Sequence, residues 1–210
     1  RLTFAQDDQG PVANGIEVRM ADGSPHTFRA NREVVLSAGA IGSPQILQLS
    51  GVGADALLAE RGIHCVHTLP GVGENLQDHL QIRTIYTVNN TVTLNQRANS
   101  FWGKAAMGLE YFLFKTGPLT MPPSQLGAFA KSDESQASAN MEWHVQPLSL
   151  DKFGDPLHTY DAITPSVCNL RPTSRGHVRI KTANADDHPA INLNYLSTPE
   201  DRQVAIAGLK

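Results

Sequence analysis

The sequence predicts an α+β fold, and three observations carry that expectation. An apolar run at residues 34–36 passes through a string of small residues into a helix start, which is a unit of strand, turn and helix. Beyond Leu80 come short stretches in which apolar and polar residues alternate, as half-buried strands do. A single long helical pattern, at residues 101–113, interrupts them. Strands joined by loops with one helix packed on them form an antiparallel layer, so an α/β portion over residues 1–79 is expected to precede an antiparallel sheet with helices over residues 80–210.

Taken in order, residues 1–4 form a strand, followed by the polar turn Asp7-Asp8-Gln9-Gly10-Pro11. Ile16, Val18 and Met20 alternate with Glu17 and Arg19 as a second strand; Asp22-Gly23 is a hairpin turn, and residues 26–29 return as a third. Val34, Val35 and Leu36 have the side chains of a strand buried on both faces. Ser37, Ala38, Gly39, Ala40 and Gly42 carry almost no side chain, so the backbone there turns sharply and lets another group come close. Ser43 is placed as N-cap and Pro44 at the first helical position, with the helix over residues 45–49 ended by Gly51. Its free amides and positive dipole end suit a phosphate or other anion, and tight packing of strand on helix explains the same small residues equally well.

Residues 55–61 form a short helix stopped by Gly62, and residues 63–69 a strand. His64, Cys65 and His67 invite a metal reading, but residues three apart in a strand face opposite sides and cannot share one ion. The glycine-rich connection from Gly71 to His79 holds Asn75, Asp78 and His79, polar groups of the kind that bond local backbone. Leu80, Ile82, Thr84, Tyr86 and Val88 share one strand face, and residues 89–99 read as a polar loop. Ser100 caps a helix whose Trp102, Ala105, Ala106, Leu109, Phe112 and Leu113 recur at helical spacing and are assigned to the core. Gly117-Pro118 ends it. Residues 125–131, 140–148, 162–170 and 177–181 read as strands, with a small, polar, mobile loop at 132–139. Residues 190–195 add one more strand, and Ser197-Thr198-Pro199-Glu200 opens a capped helix.

The 210 residues suffice for one large domain or two small ones. A net charge of −3 without clustered Lys and Arg excludes a nucleic-acid partner. No apolar run approaches the roughly 20 residues of a membrane span. Cys65 and Cys168 stand far apart without metal spacing, which suits a reducing, cytoplasmic compartment rather than a disulfide framework. Asn89-Asn90-Thr91 spells a glycosylation sequon that has no meaning there. The chain opens on Arg1 rather than Met, so its true start is expected upstream.

The stretch from Gly39 to Gly53, GAIGSPQILQLSGVG, resembles throughout its length the second sequence signature of the glucose-methanol-choline (GMC) oxidoreductases, a family of FAD-dependent alcohol-oxidising enzymes. LPGVGENLQDH, from Leu69 to His79, is similar to the loop that follows in that family, and Ser174-Arg175-Gly176-His177-Val178 resembles the entry to its C-terminal part. Ala54 departs from the proline that many members carry.

The resemblance implies that residues 1–79 are the later, incomplete part of a Rossmann-like FAD-binding domain and residues 80–210 a substrate-binding domain truncated at its C-terminal end. It places Ser37, Ala38, Gly39 and Ala40 near the adenosine end of FAD, and the loop with Asn75, Asp78 and His79 near the flavin. The antiparallel sheet would roof the active site, with Met121, Gln125, Trp143, His144 and Gln146 shaping the substrate pocket; each is otherwise sheet core or surface. Choline-using members carry glutamate where Gln125 stands, and a neutral amide loses the attraction for a quaternary ammonium, so a less polar or neutral alcohol is expected. The family's proton-accepting histidine lies in a C-terminal segment that none of the eight histidines here matches, and the GxGxxG fingerprint is absent. The expectation is therefore the middle piece of an FAD-dependent alcohol dehydrogenase of choline dehydrogenase type, itself inactive and holding FAD poorly. Its substrate would be a small-molecule alcohol and its electron acceptor is left open, with an oxygen-using oxidase and a non-catalytic binding module as alternatives.

Overall fold

The computed structural model describes residues 1–122 and 124–210. In chain order the strands are β1 (Leu2–Asp7), β2 (Gly10–Arg19), β3 (Pro25–Arg29), β4 (Val52–Gly53), β5 (His67–Thr68), β6 (Gln81–Arg83), β7 (Tyr86–Thr87), β8 (Leu126–Ala130), β9 (Met141–Gln146), β10 (Ala162–Asn169), β11 (His177–Arg179) and β12 (Ala190–Asn192). The helices are α1 (Gly39–Leu49), α2 (Asp55–Glu60), α3 (Leu94–Asn99), α4 (Phe101–Phe114) and α5 (Pro199–Leu209). Two units result, one of residues 1–78 with 174–197 and the other of residues 79–173 with 198–210. The expected division after residue 79 is linear, whereas these units are not.

In the first unit β1, β2 and β3 form an antiparallel sheet whose two hairpin turns fall where the Gly10 and Gly23 signals put them. The strand expected at residues 34–36 is not formed. A strand exists by its ladder, and among the described residues none pairs with this stretch; Val35 is 77% exposed. The helix that follows begins a turn earlier than Ser43-Pro44 suggests. Gly39, at φ 77°, reverses the chain, Ala38 becomes the N-cap, and Ser43 reaches back from inside the helix to accept the Ala38 N–H at 3.1 Å.

The C-terminal half of α1 anchors this unit. Gln48 is fully buried; its Nε2 donates to the carbonyls of Val72 (3.1 Å) and Val178 (3.0 Å), and its Oε1 accepts the Ile180 N–H (2.9 Å). One amide thus holds the 71–78 loop and the β11 end against the helix. Gly73, at φ 83°, makes the approach possible, since a Cβ there would lie 2.1 Å from the Val178 carbonyl oxygen. Leu76 and Gly176 exchange two backbone bonds, and Arg179 pairs with Glu74 at 2.8 Å, which pins the same loop again.

The second unit is a five-stranded antiparallel sheet in the order β6-β10-β9-β8, with β7 also on β10. The single strand face expected from Leu80 to Val88 is broken into β6 and β7. Met141, Val167 and Val204 form the core under α5, with Ile82, Trp143 and Ala207 packed around them. Gly208 brings α5 close to the sheet, because a Cβ there would lie 2.6 Å from a Val167 methyl group. Two further expectations fail in this unit. Residues 94–99 are helical rather than loop: Thr93 caps α3, and buried Asn95 donates to the Ser149 hydroxyl (2.8 Å) and the Tyr160 carbonyl (3.0 Å) and accepts the Ser149 N–H (2.7 Å). The apolar stripe of α4 is not core, because Trp102, Leu109, Phe112 and Leu113 are all exposed and Met107 is the buried residue. Periodicity sorts side chains by face, and the covered face here is set by Gly103, where a Cβ would meet the Arg97 carbonyl at 2.0 Å.

Replacing Gln48 by Leu removes three bonds at once and leaves buried backbone groups unpaired, at about 1–3 kcal/mol each. A loss of at least about 3 kcal/mol is expected in urea denaturation followed by circular dichroism. A Gln48→Leu midpoint equal to that of the unsubstituted chain would show that these bonds hold nothing.

Candidate functional site

Two regions of the first unit carry the residues assigned to a cofactor. Ser37, Ala38, Gly39 and Ala40 lie exposed around the start of α1, where no side chain caps the first turn and no acidic residue occupies it. Nothing lies within 4 Å of where a Gly39 Cβ would stand. The first-turn amides are therefore open, with the positive end of the helix dipole behind them. Asn75, at φ 63°, and Asp78 lie exposed on the loop clamped by Gln48. At 1.5 Å per residue, α1 separates the two regions by roughly 16 Å. The structure thus sets them at the two ends of one helix rather than in one pocket.

Asp78 is not idle, since it accepts the Tyr195 hydroxyl. Desolvation and then this bond push the Tyr195 phenol up to about 12. His79 belongs to the second unit, where its Nε2 lies 3.1 Å from the Leu170 carbonyl. Cys65 donates to Asp55 at 3.0 Å, and that bond raises its thiol above the ordinary range; burial raises Cys168. Neither cysteine is set up as a nucleophile.

In the second unit the register separates residues that the sequence had grouped. Along β9, Met141, Trp143 and Val145 share one face and Glu142, His144 and Gln146 the other. Trp143 packs on the α5 core and borders a different cavity of about 240 Å³, so it does not join the rest. On the opposite face, β10 sets Ser166 beside His144 and Thr164 beside Gln146, and β6 sets Arg83 beside Ser166. The Gln125 N–H donates to the Val145 carbonyl at 3.1 Å, which extends the β8–β9 register and brings Gln125 alongside Gln146. Gln125 and Met121 also line a cavity of about 380 Å³ with Arg97 and Glu110.

This sheet face is polar although Gln146, Thr164 and Ser166 on it are buried. Glu142 holds His144 Nε2 at 3.1 Å, and Gln146 Nε2 donates weakly to Ser124 at 3.4 Å. Gln146 Oε1 and the Nε and Nη2 of Arg83 are closed off from solvent and find no hydrogen-bond partner among the described residues. Arg83, Glu142, Thr164 and Ser166 were missed from the sequence. The alternation of 162–170 against 140–148 could have found them once an antiparallel register was assumed, whereas Arg83 depends on which strand β6 joins.

Residues 2–81 and 172–210 match the N- and C-terminal family models described as GMC oxidoreductase, together more than half of the chain. The chain is 43% identical over 179 residues to an alcohol dehydrogenase [acceptor] of Pseudomonas putida, covering 85% of this chain and 32% of that protein. It is 42% identical over 195 residues to an oxygen-dependent choline dehydrogenase of Escherichia coli (strain K12 / DH10B), covering 92% of this chain and 35% of the other. It therefore spans about a third of the length of the curated relatives it matches. Among solved structures, a formate oxidase superposes with a TM-score of 0.87 at 25% identity over 100% of this chain and 41% of that one. The pyridoxine 4-oxidase of Mesorbium loti gives 0.74 at 25% identity, over 94% and 35%.

The Tyr195–Asp78 contact has a measurable signature. A phenol whose folded value lies above its unfolded value near 10 stabilises the fold at lower pH, and that contribution disappears as pH rises from about 10 to about 12. Absorbance titration at 295 nm is expected to show one of the four tyrosines ionising near 12, and Asp78→Asn to bring it back toward 10. An unchanged profile in that variant would remove the contact.

Proposed function

This chain belongs to the GMC oxidoreductase family, and we propose that it supplies part of the cofactor domain and the substrate sheet of an FAD-dependent enzyme that oxidises the CH–OH group of an alcohol. The observation that carries the proposal is the 42–43% identity to two proteins named for alcohol oxidation, over stretches that span most of the chain.

The donor sets fit a dinucleotide. Open amides at Ser37, Ala38, Gly39 and Ala40 suit its adenosine side and the Asn75–Asp78 loop suits its flavin side, an extended ligand being what two regions at opposite helix ends require. FAD, when bound, supplies the acceptor for the hydride that leaves the carbinol carbon. The protein residues bind and orient. Gln146 and His144 present polar atoms along one sheet face, Gln125 joins that face to the cavity, and Met121 gives the cavity an apolar wall. Arg97 and Glu110 line the same cavity with opposite charges, so it offers no net attraction to a cation. No helix among the described residues is long and apolar enough to cross a membrane, and the two free thiols suit a reducing compartment, which supports a cytoplasmic setting. The electron acceptor stays open in this reading, since one relative is named for an acceptor and the other is named oxygen-dependent.

Mixing the flavin-loaded enzyme with alcohols in the absence of oxygen tests this. Bleaching by an alcohol that lacks a quaternary ammonium, but only weakly by choline, is expected. Gln125→Glu should then improve KM for choline by about 10-fold by restoring a carboxylate. An uninterrupted parent protein that stays colourless when offered FAD would leave only the non-catalytic binding module.

A further inference from the structure

We propose that Arg83 is an anion-recognition residue of the polar sheet face and holds a carboxylate carried by the alcohol substrate. The proposal rests on the alcohol-oxidising reading and adds the substrate class to it.

The register places Arg83 directly opposite Ser166, which is itself opposite His144, so the guanidinium stands on the face that carries Gln146 and Gln125. Guanidinium stays charged at every accessible pH, and a charged donor shut away from water without an acceptor is costly. Nε and Nη2 are in that condition. Glu142, the carboxylate of this face, pairs with His144 instead. What lies over the guanidinium is the Phe153 ring, 4.7 Å from it and itself 74% exposed. That ring sits in a segment of bends and turns beside Gly154 at φ 99°. A cation–π contact at an exposed ring is weaker than a two-pronged bond from the planar guanidinium fork to a carboxylate, so an arriving carboxylate can displace the ring.

A second unpaired atom defines the other end of the ligand. Gln146 Oε1 is a buried acceptor on the same face, two strands away and therefore roughly 10 Å across the sheet. It accepts a hydroxyl proton where Arg83 donates to an anion. A short ω-hydroxycarboxylate satisfies both and fits the absence of a carboxylate at Gln125.

The test compares 6-hydroxyhexanoate with 1,6-hexanediol in anaerobic flavin bleaching, and measures hexanoate binding by calorimetry, in the flavin-loaded enzyme and its Arg83→Met and Arg83→Lys variants. A preference for the hydroxy acid of roughly 10- to 100-fold in kcat/KM is expected, lost in Arg83→Met and only partly kept in Arg83→Lys, which retains charge without the fork. Hexanoate should bind at least about 10-fold more weakly to Arg83→Met. Should Arg83→Met fail to fold, the partial loss in Arg83→Lys decides the matter, and no loss there overturns the assignment. Equal turnover of both alcohols, or a preference that survives in Arg83→Met, overturns it and leaves the alcohol reading standing. If no alcohol bleaches the flavin, the alcohol reading fails; hexanoate binding that depends on Arg83 then keeps the anion site, and binding that does not removes it.

Discussion

The first unit depends on one buried amide. Gln48 is the single side chain that bonds the α1 interior to two separate backbone segments, through Val72 on one side and Val178 and Ile180 on the other. Those segments also bond each other through the Leu76–Gly176 backbone pair and the Arg179–Glu74 ion pair, yet the loop contains Gly71 and Gly73 and β11 is only three residues long. Side-chain bonds from a helix to non-helical backbone replace the ladder that such short strands cannot build for themselves. The consequence for function is positional. With the helix and loop locked together, the open amides at the start of α1 and the Asn75–Asp78 turn keep a constant separation, which a rigid, elongated ligand requires.

The second unit follows a different rule, in which the sheet sorts side chains by chemistry. The face under α5 takes Met141, Trp143 and Val167 and makes an ordinary core. The other face takes Glu142, His144, Gln146, Thr164, Ser166 and Arg83, of which Gln146, Thr164 and Ser166 are buried. Thr164 offsets its burial by donating to the Leu148 carbonyl at 2.7 Å, and Glu142 and His144 satisfy each other. Three atoms on this face do not, and a fold selected for stability alone would have used apolar residues there.

Much of this was legible in the sequence, and the failures have physical causes. The β1–β2–β3 meander, the Ser100 cap, the strands from Leu126 to Arg179 and the Thr198-Pro199 helix start all follow from local signals that tertiary contacts do not overrule. Residues 34–36 have strand composition but no partner, because pairing is a non-local property that three residues cannot encode. The α4 stripe was misplaced for a related reason: Gly103, not the apolar residues, decides which side of the helix touches α3. In the candidate site, period two grouped His144 with Gln146 correctly and should have excluded Trp143 at once, since neighbouring positions of a strand face opposite ways. Arg83 was out of reach, because its place depends on β6 pairing with a strand some eighty residues away.

Specificity is a difference of affinities, set as much by what a site rejects as by what it holds. Choline and a hydroxy acid differ in the sign of the charge distant from the hydroxyl, and each charged side chain near the sheet bears on that difference. Glu142 is held by the imidazole of His144 at 3.1 Å, while Arg97 and Glu110 oppose one another around the cavity. Gln125 adds no charge. Arg83 is a charged group of this face whose Nε and Nη2 have no hydrogen-bonding partner among the described residues, and in a shielded environment that charge acts over a longer distance than it would in water. On the proposed reading, a quaternary ammonium would meet repulsion there with no carboxylate at position 125 to offset it, whereas a carboxylate would meet the fork it fits. The same two residues therefore argue against one substrate and for the other.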